Sequence, residues 1–404
     1  MLTLDRIYQA SHVLRECVRK TDVIHYTNLD LPGAPSELYL KAENLQLTGS
    51  FKVRGAYFKM HMLPSEEKAK GVIACSAGNH AQGVALAAQR MEINATIFIP
   101  SVAPLSKVEA TKSFGANIVL VDGVYDDAYA AAVRYQQESG GVFIHPFDDP
   151  DVMAGHGTIG LELLDQISGL DAIIVPIGGG GLISGLAFAV KKLHPGCKVY
   201  GVQAAGASSM YNSLELGART DLECVTTFAD GIAVKCPGQS TFELCSQYVD
   251  KIVTVTDDEI ATAILTLMEQ QKLVAEGAGV VSVASVLFGK LPLEGKKVCC
   301  VVSGGNIDVS ILSRVIRRGL LTTGRRSELT IEMLDKPGQL SEVASIVSTN
   351  GANVTRVLHN HGGENTDING CFLHLTLETK NKEHLCLVKK ALQNAGYKIV
   401  ADYH

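Results

Sequence analysis

The sequence predicts an α/β protein: two doubly wound parallel-sheet lobes, followed by a small C-terminal ferredoxin-like βαββαβ unit. Three observations predict it. Short apolar runs alternate with helical patterns through most of the first 320 residues. Glycine- and serine-rich turns fall where several of those runs end and a helix begins. Past Arg326 the pattern changes to alternating apolar and polar residues around two amphipathic helices.

In chain order, GVIACSA (71–77) reads as a strand entering a turn, and HAQGVALAAQRM (80–91) as a helix with Val84, Leu86, Ala87 and Met91 on its apolar side. ATIFIP (95–100) and NIVLVDG (117–123) are strands on either side of the helix VEATKSFG (108–115). The helix DAYAAAVRYQQES (127–139) and the strand VFIHPF (142–147) complete a small lobe of about residues 55–150. A second block starts near 151 with a helix around GTIGLELLDQI. Its strands are DAIIVPI (171–177), KVYGVQA (198–204) and KVCCVVSGG (297–305). Helical crossovers imply parallel pairing, so a ligand cleft is expected between the lobes at the carboxyl ends of the strands.

The segment RRGLLTTGRRS (317–327) reads as a helix end and linker, with 321–327 separating a 1–320 domain from a 328–404 unit. That unit begins with the strand ELTIEML (328–334), the turn DKPG (335–338) and the helix QLSEVASIVSTNG (339–351). ANVTRVLHN and NGCFLHLTLET are two strands around a Gly362–Gly363 turn. A helix carrying Leu385, Val388 and Leu392 and the strand KIVADY follow.

The bulk numbers exclude some classes. Of 404 residues, 46% are hydrophobic and 19% charged, which suits a globular chain with two or three cores. A net charge of -6 argues against general nucleic-acid binding. The run Arg314, Arg317, Arg318, Arg325 and Arg326 reads as a solvated helix end and linker. The ten cysteines include no C-x-x-C pair and no zinc-type spacing, which suits a reduced, cytoplasmic protein. Adjacent Cys299 and Cys300 point to opposite faces of a strand as packed thiols. No run approaches the ~18 apolar residues of a membrane span, and the N-terminus lacks a signal-peptide pattern.

Four segments carry chemistry. GSFKVRGA (49–56) sets Lys52 beside Phe51 and small residues at a helix start. SAGNHAQG (76–83) lies between a strand and a helix, where amides, Ser76 and Asn79 can meet an anion. IGGGGLISG (177–185) places Gly178, Gly179, Gly180 and Gly181 between an apolar strand and a helical run, where a side chain would block close approach of a phosphate. The dinucleotide fingerprint is not met, since Ile183 and Ser184 stand where its last glycine would fall. SGGN (303–306) again closes a strand. A hydroxyl such as Ser303 facing a pyridine nitrogen would leave that nitrogen unprotonated and suit β-elimination. Lysine, glycine cradle and Ser/Asn loop together describe a pyridoxal 5'-phosphate site.

In this order, the motifs resemble those of fold-type II pyridoxal-phosphate enzymes, and more closely the threonine/serine dehydratases (threonine ammonia-lyases). The resemblance spans about residues 5–320. It implies Lys52 as Schiff-base lysine and α-proton base, Phe51 packed on the cofactor ring and Asn79 at the ring hydroxyl. It implies the phosphate on Gly178, Gly179, Gly180, Gly181 and Leu182, Ser303 at the pyridine nitrogen, and Glu276 of AEGAG near the cofactor. The substrate carboxylate is expected on Ser76, Ala77, Gly78, Asn79 and His80. The implied reaction is deamination of L-threonine to 2-oxobutanoate and of L-serine to pyruvate. Residues 328–404, with DKPGQL, resemble an ACT regulatory domain that binds an amino-acid effector. A homodimer or homotetramer is expected.

The family also includes serine racemases, which carry a proton-transferring serine where this chain has Ala77. Some relatives bind a divalent cation at positions that here appear as Gln203, Ala207 and Ser209, a poor oxygen cage, so no tight metal site is expected. A serine-preferring dehydratase, a β-replacement enzyme and a non-enzymatic amino-acid sensor stay open at this point.

Overall fold

The computed structural model describes residues 1–27, 29, 31–361 and 369–403. The chain divides into two compact units, Met1–Asp308 and Val309–His404. The first opens with the helix Leu4–Leu14, followed by the antiparallel pair β1 (Val23–His25) and β2 (Glu37–Ala42). Four strands follow: β3 (Val72–Cys75), β4 (Ala95–Pro100), β5 (Asn117–Val121) and β6 (Val142–Phe143). The last four are β7 (Ala172–Pro176), β8 (Lys198–Ala204), β9 (Lys251–Val255) and β10 (Lys297–Val302).

These strands make two sheets. The small one has the order β5-β4-β3-β6 and is parallel throughout. The large one has the order β1-β2-β10-β7-β8-β9 and is parallel except for β1. In the small sheet, and from β7 onward in the large one, the chain first steps outward in one direction and then returns to the other side of the strand it started from. The order therefore reverses between β3 and β6, and again between β7 and β10. Such reversals leave a crevice beyond the strand ends, because successive helices diverge to opposite faces there.

The expected alternation is present, with three strands more than expected: β1, β2 and β9. β2 is a half-buried alternating run, ELYLKA, that pairs with β10. The strand expected over 142–147 stops at Phe143. Pro146 has no N–H to donate, and His145 Nδ1 accepts from the amides of Phe147 (3.3 Å) and Asp148 (2.8 Å), which turns the chain. The helix expected over 108–115 runs Leu105–Lys112, directly after Pro104, whose missing N–H is harmless at a helix start.

The second unit opens with the helix Val309–Thr322, and β11 (Arg326–Leu334) follows it closely. The expected linker at 321–327 thus falls inside this unit rather than between the two. Arg317 pairs with Glu328, and Arg326 lies within β11, so this basic run is partly structural. The helix Gln339–Thr349, β12 (Asn353–His361), β13 (Gly370–Glu378), the helix Lys382–Asn394 and β14 (Lys398–Tyr403) complete it. The antiparallel sheet has the order β12-β13-β11-β14, the arrangement of a split βαββαβ unit. Leu329, Ile331, Leu373, Leu375, Val343 and Val388 fill its core. The expected Gly362–Gly363 turn lies outside the described residues.

Helix packing in the first unit fixes the start of the helix Lys52–His61. A Cβ on Gly155 would lie 2.5 Å from Arg54 O and 2.7 Å from Gly55 Cα, so the helix Pro150–Gln166 meets it backbone to backbone. Arg54 is fully buried there. Its Nε and Nη2 donate to the two carboxylate oxygens of Glu43 (2.8 Å each), and Nη1 donates to Glu162 (2.6 Å). Lys41 Nζ donates to Glu162 (2.6 Å), Gln166 (2.8 Å) and Thr21 O (2.8 Å). Two cations and two anions thus balance, each with several hydrogen bonds. Removing one partner strands a buried charge. Glu43→Gln should therefore destabilise the fold by about 3–5 kcal/mol, read as a large drop in unfolding temperature. Asp165→Asn, which breaks the exposed pair with Lys20, should leave that temperature unchanged.

Candidate active site

The carboxyl ends of β3, β6, β7 and β10 flank the two points where strand order reverses. The four sequence motifs sit around them. Ser76–Asn79 follow β3, the 144–147 turn follows β6, Gly178–Gly181 follow β7 and Ser303–Asn306 follow β10. Lys52 comes from the turn that pairs with the last of these: Phe51 N donates to Ser303 O (3.2 Å), Gly305 N donates to Gly49 O (2.9 Å), and Ser50 bridges Gly304.

Contacts close around this centre. Lys52 Nζ donates to Pro146 O (2.9 Å) and lies 5.2 Å from the centre of the Phe51 ring. The next residue, Phe147, packs on the glycine turn: a Cβ on Gly179 would fall 2.5 Å from its ring, and one on Gly181 2.8 Å from its backbone. On the other side, a Cβ on Gly178 would lie 3.1 Å from Ile232 Cα, and one on neighbouring Gly231 3.5 Å from Glu276 Oε1. Glu276 Oε1 accepts from Asn79 Nδ2 (2.5 Å), and Asn79 Oδ1 accepts from Asn306 Nδ2 (2.8 Å). Ser303 Oγ, at the end of β10, donates to Ala278 O (3.4 Å). Phe51 and Leu182 belong to one apolar cluster. The structure thus gathers Lys52, Phe51, Asn79, Gly178–Leu182, Glu276 and Ser303.

Ser76, Ala77 and Gly78 lie alongside, half-buried, and Gly78 N donates to Ser76 Oγ (3.2 Å). A Cβ on Gly78 would meet nothing within 4 Å, so this turn faces open space. His80 differs from its neighbours. Its ring is buried and Nε2 contacts Ile144 O (2.8 Å), so it points away from that space. Burial, then the charge of Lys52, push its pKa down to about 3 and keep it neutral.

Burial dominates the electrostatics. It lowers Lys52 to about 8, against a smaller opposing pull from Glu276. The residue as a whole is half-buried, while the amine itself lies in the sheltered end against Pro146 O. Burial, reinforced by the charge of Asp230, raises Glu276 to about 7. At the glycine turn, Gly180 has φ +99° and caps the helix Gly181–Leu193 with no side-chain hydrogen bond. That helix start offers free amides and the positive end of a dipole to a phosphate. A sheltered amine with lowered pKa, an uncapped glycine-rich helix start, a buried hydroxyl and a carboxamide are the donor set that an aldehyde-bearing pyridine phosphate requires, so these residues fit pyridoxal phosphate.

Sequence reasoning did not single out Phe147, Asp230, His156 or a role for Asn306. His156 packs edge-on against Phe51, with ring centres 4.7 Å apart. Gln203, at the position considered for a cation, instead donates to Ala207 O (3.1 Å) and accepts from Tyr211 N (2.8 Å). A cavity of about 510 Å³ beside Tyr211, Leu214 and Thr254 includes none of the gathered residues in its lining.

Residues 14–304 match the model of the family described as pyridoxal-phosphate dependent enzyme. The chain is 48% identical over 399 residues to an L-threonine ammonia-lyase of Thermotoga maritima, covering 99% of each. The solved structure of the processed form of threonine deaminase isoform 2 from Solanum lycopersicum is similar, with a TM-score of 0.73 at 37% identity over 78% of this chain and 94% of that one. Maize serine racemase is also similar, with a TM-score of 0.74 at 35% identity over 79% of this chain and 98% of that one. With a sheltered lysine and a glycine-rich helix start on the matched scaffold, the chain is a member of the pyridoxal-phosphate dependent enzyme family.

Proposed function

We propose that the enzyme deaminates L-threonine to 2-oxobutanoate and ammonia, and L-serine to pyruvate and ammonia. The observation that carries this reading is Lys52, an amine held near pKa 8 among the ends of four strands. The full-length similarity to L-threonine ammonia-lyase supports the choice of substrate.

When bound, pyridoxal phosphate supplies an electron sink for charge developing at the substrate α-carbon. The amides from Gly178 to Leu182 are assigned to its phosphate, Phe51 to its ring face, Asn79 to its ring hydroxyl and Ser303 to its pyridine nitrogen. Glu276 holds Asn79 in place. Lys52 Nζ anchors the cofactor and, once released as a neutral amine, takes the α-proton. Amides and hydroxyl of the Ser76–His80 turn hold the substrate carboxylate, with the His80 ring taking no part. The β-carbon–oxygen bond breaks and the hydroxyl leaves as water, the proton it gains balancing the one taken from the α-carbon. The released enamine tautomerises, and a water molecule replaces its amine, giving the keto acid and ammonia. The balance closes with no oxidant or reductant. Ala77 packs against the apolar cluster of the small lobe and has no group that can carry a proton, which disfavours racemisation.

For Val309–His404 the reading is an ACT regulatory module that binds an amino-acid effector, supported by its βαββαβ order and the DKPGQL turn. We read the whole as a cytoplasmic homodimer or homotetramer. Among the described residues no helix is long and apolar enough to cross a membrane, and all ten cysteines are free thiols.

Three outcomes are expected. Purified enzyme given L-threonine should form 2-oxobutanoate. Lys52→Ala should lower that rate at least about 10³-fold and abolish the yellow absorbance of the loaded protein; equal rates in both proteins would refute the assignment. Apoprotein mixed with pyridoxal phosphate should reload faster as pH rises, with a midpoint at about 8. A midpoint near the ordinary lysine value of 10.5 would contradict the sheltered amine. Titrating isoleucine, valine and threonine against the full chain should change KM or kcat for at least one of them, and unchanged kinetics with all three would remove these ligands as effectors.

A further inference from the structure

Within Val309–His404, three neighbouring strands bring metal-ligating side chains to one end of the sheet. Asp335 directly follows β11, and its amide donates to Asn369 O (2.8 Å), which ties that end to the start of β13. Cys371 is the second residue of β13 and pairs in register with His361 on β12. His359 lies two residues earlier on β12 and so shares the face of His361. One ligand atom each from Asp335, His359 and Cys371 lies within 4.8 Å of the others. His361 Nδ1 is 3.0 Å from Asp335 Oδ2, and His359 Nε2 is 3.8 Å from Asp335 Oδ1. The two imidazoles stand with ring centres 5.3 Å apart.

We propose that Asp335, His359, His361 and Cys371 form a binding site for one zinc-class divalent transition cation. Bond lengths near 2.0–2.3 Å to nitrogen, oxygen and sulfur imply donor separations of about 3.3–3.7 Å in a tetrahedron. The present spacing is within 4.8 Å among Asp335, His359 and Cys371 and 3.0 Å from His361 to Asp335, so binding would draw the more distant side chains inward. The donor chemistry selects the ion. Imidazole and thiolate favour zinc-type cations, whereas a single carboxylate is too poor in oxygen for calcium or magnesium. The burial pattern suits a site with an entrance. Cys371 is fully buried and is a free thiol, while His359, His361 and Asp335 reach solvent. A zinc-bound cysteine is a thiolate, so binding displaces a proton. An ion here would clamp the ends of β11, β12 and β13 together. The site shares Asp335 with the DKPGQL turn but takes a metal ion rather than an amino acid.

The test is equilibrium dialysis of the full-length, cofactor-loaded protein against Zn²⁺, with metal counted per chain. The expected result is one zinc per chain, with affinity reduced roughly tenfold or more in His359→Ala and in His361→Ala. Both residues are accessible, so the variants should keep the fold, and retained cofactor absorbance checks this. In the Co²⁺-loaded protein, a thiolate-to-cobalt band in the difference spectrum should vanish in Cys371→Ser. Cys224→Ser and Cys386→Ser, which change the exposed thiols, should bind zinc as the parent does. No stoichiometric zinc, unchanged uptake in the double variant His359→Ala/His361→Ala, or loss of uptake in either exposed-thiol variant would overturn the proposal.

Discussion

The buried cluster of Arg54, Glu43, Glu162 and Lys41 is the constraint on which the site depends. Arg54 sits on the same helix as Lys52, two residues further along. It joins that helix to the segment after β2 through Glu43 and to the helix Pro150–Gln166 through Glu162. A purely apolar contact would resist sliding less, because dispersion has little direction. Bidentate guanidinium–carboxylate bonds fix both distance and angle. With Gly155 at the backbone crossing, the helix can neither shift outward nor rotate without exposing a charge. The position of the Lys52 amine follows from this clamp.

The two cations then behave in opposite ways for one physical reason. Burial opposes the charge on both. For Arg54, the attraction and hydrogen bonds of Glu43 and Glu162 outweigh burial and hold its pKa above the ordinary arginine value. For Lys52, only a weaker pull from Glu276 opposes burial, so its pKa falls to about 8. Neighbouring positions on one helix thus supply a permanent structural charge and a titratable amine. The difference lies in whether carboxylates are within bonding reach.

How much of this was legible in the sequence depended on whether a requirement is local. The glycine turn at 178–181 and the loops at 76–80 and 303–306 were visible because close backbone approach demands small residues in consecutive positions. Strand–helix alternation revealed β3 to β8 and β10 for the same reason, since each run carries its own period. β1, β2 and β9 escaped, although ELYLKA and KIVTV alternate, because short runs without a glycine-rich end look like many surface segments. Phe147 was hidden inside a run taken for a strand, and its task depends on a turn made by His145 and Pro146. Arg54 stands inside the motif GSFKVRGA, but its partners lie 11 and 108 positions away in the chain. The ligands at 335, 359, 361 and 371 show no metal spacing because three strands supply them, and only the sheet order makes them neighbours.

The electrostatics of the centre also set where the fold is weakest. Lys52 has a folded pKa of about 8 against an ordinary 10.5, so between those values the unfolded chain binds more protons and stability rises with pH. Below about 8 the full penalty of burying this cation is present. Glu276 has a folded pKa of about 7 against an ordinary 4.5, so between those values the folded chain binds more protons and stability falls as pH rises. Above about 7 the full penalty of burying this anion is present. The two penalties overlap most between about pH 7 and 8, where the amine needed as a base and the carboxylate held against Asn79 are both near their titration points. An active site poised in this way destabilises the protein that carries it. The clamp around Arg54 lies only two residues away, and there the attraction of Glu43 and Glu162 outweighs burial. Lys52 can therefore be kept reactive because the helix beneath it is secured by Arg54, whose charge Glu43 and Glu162 hold against burial.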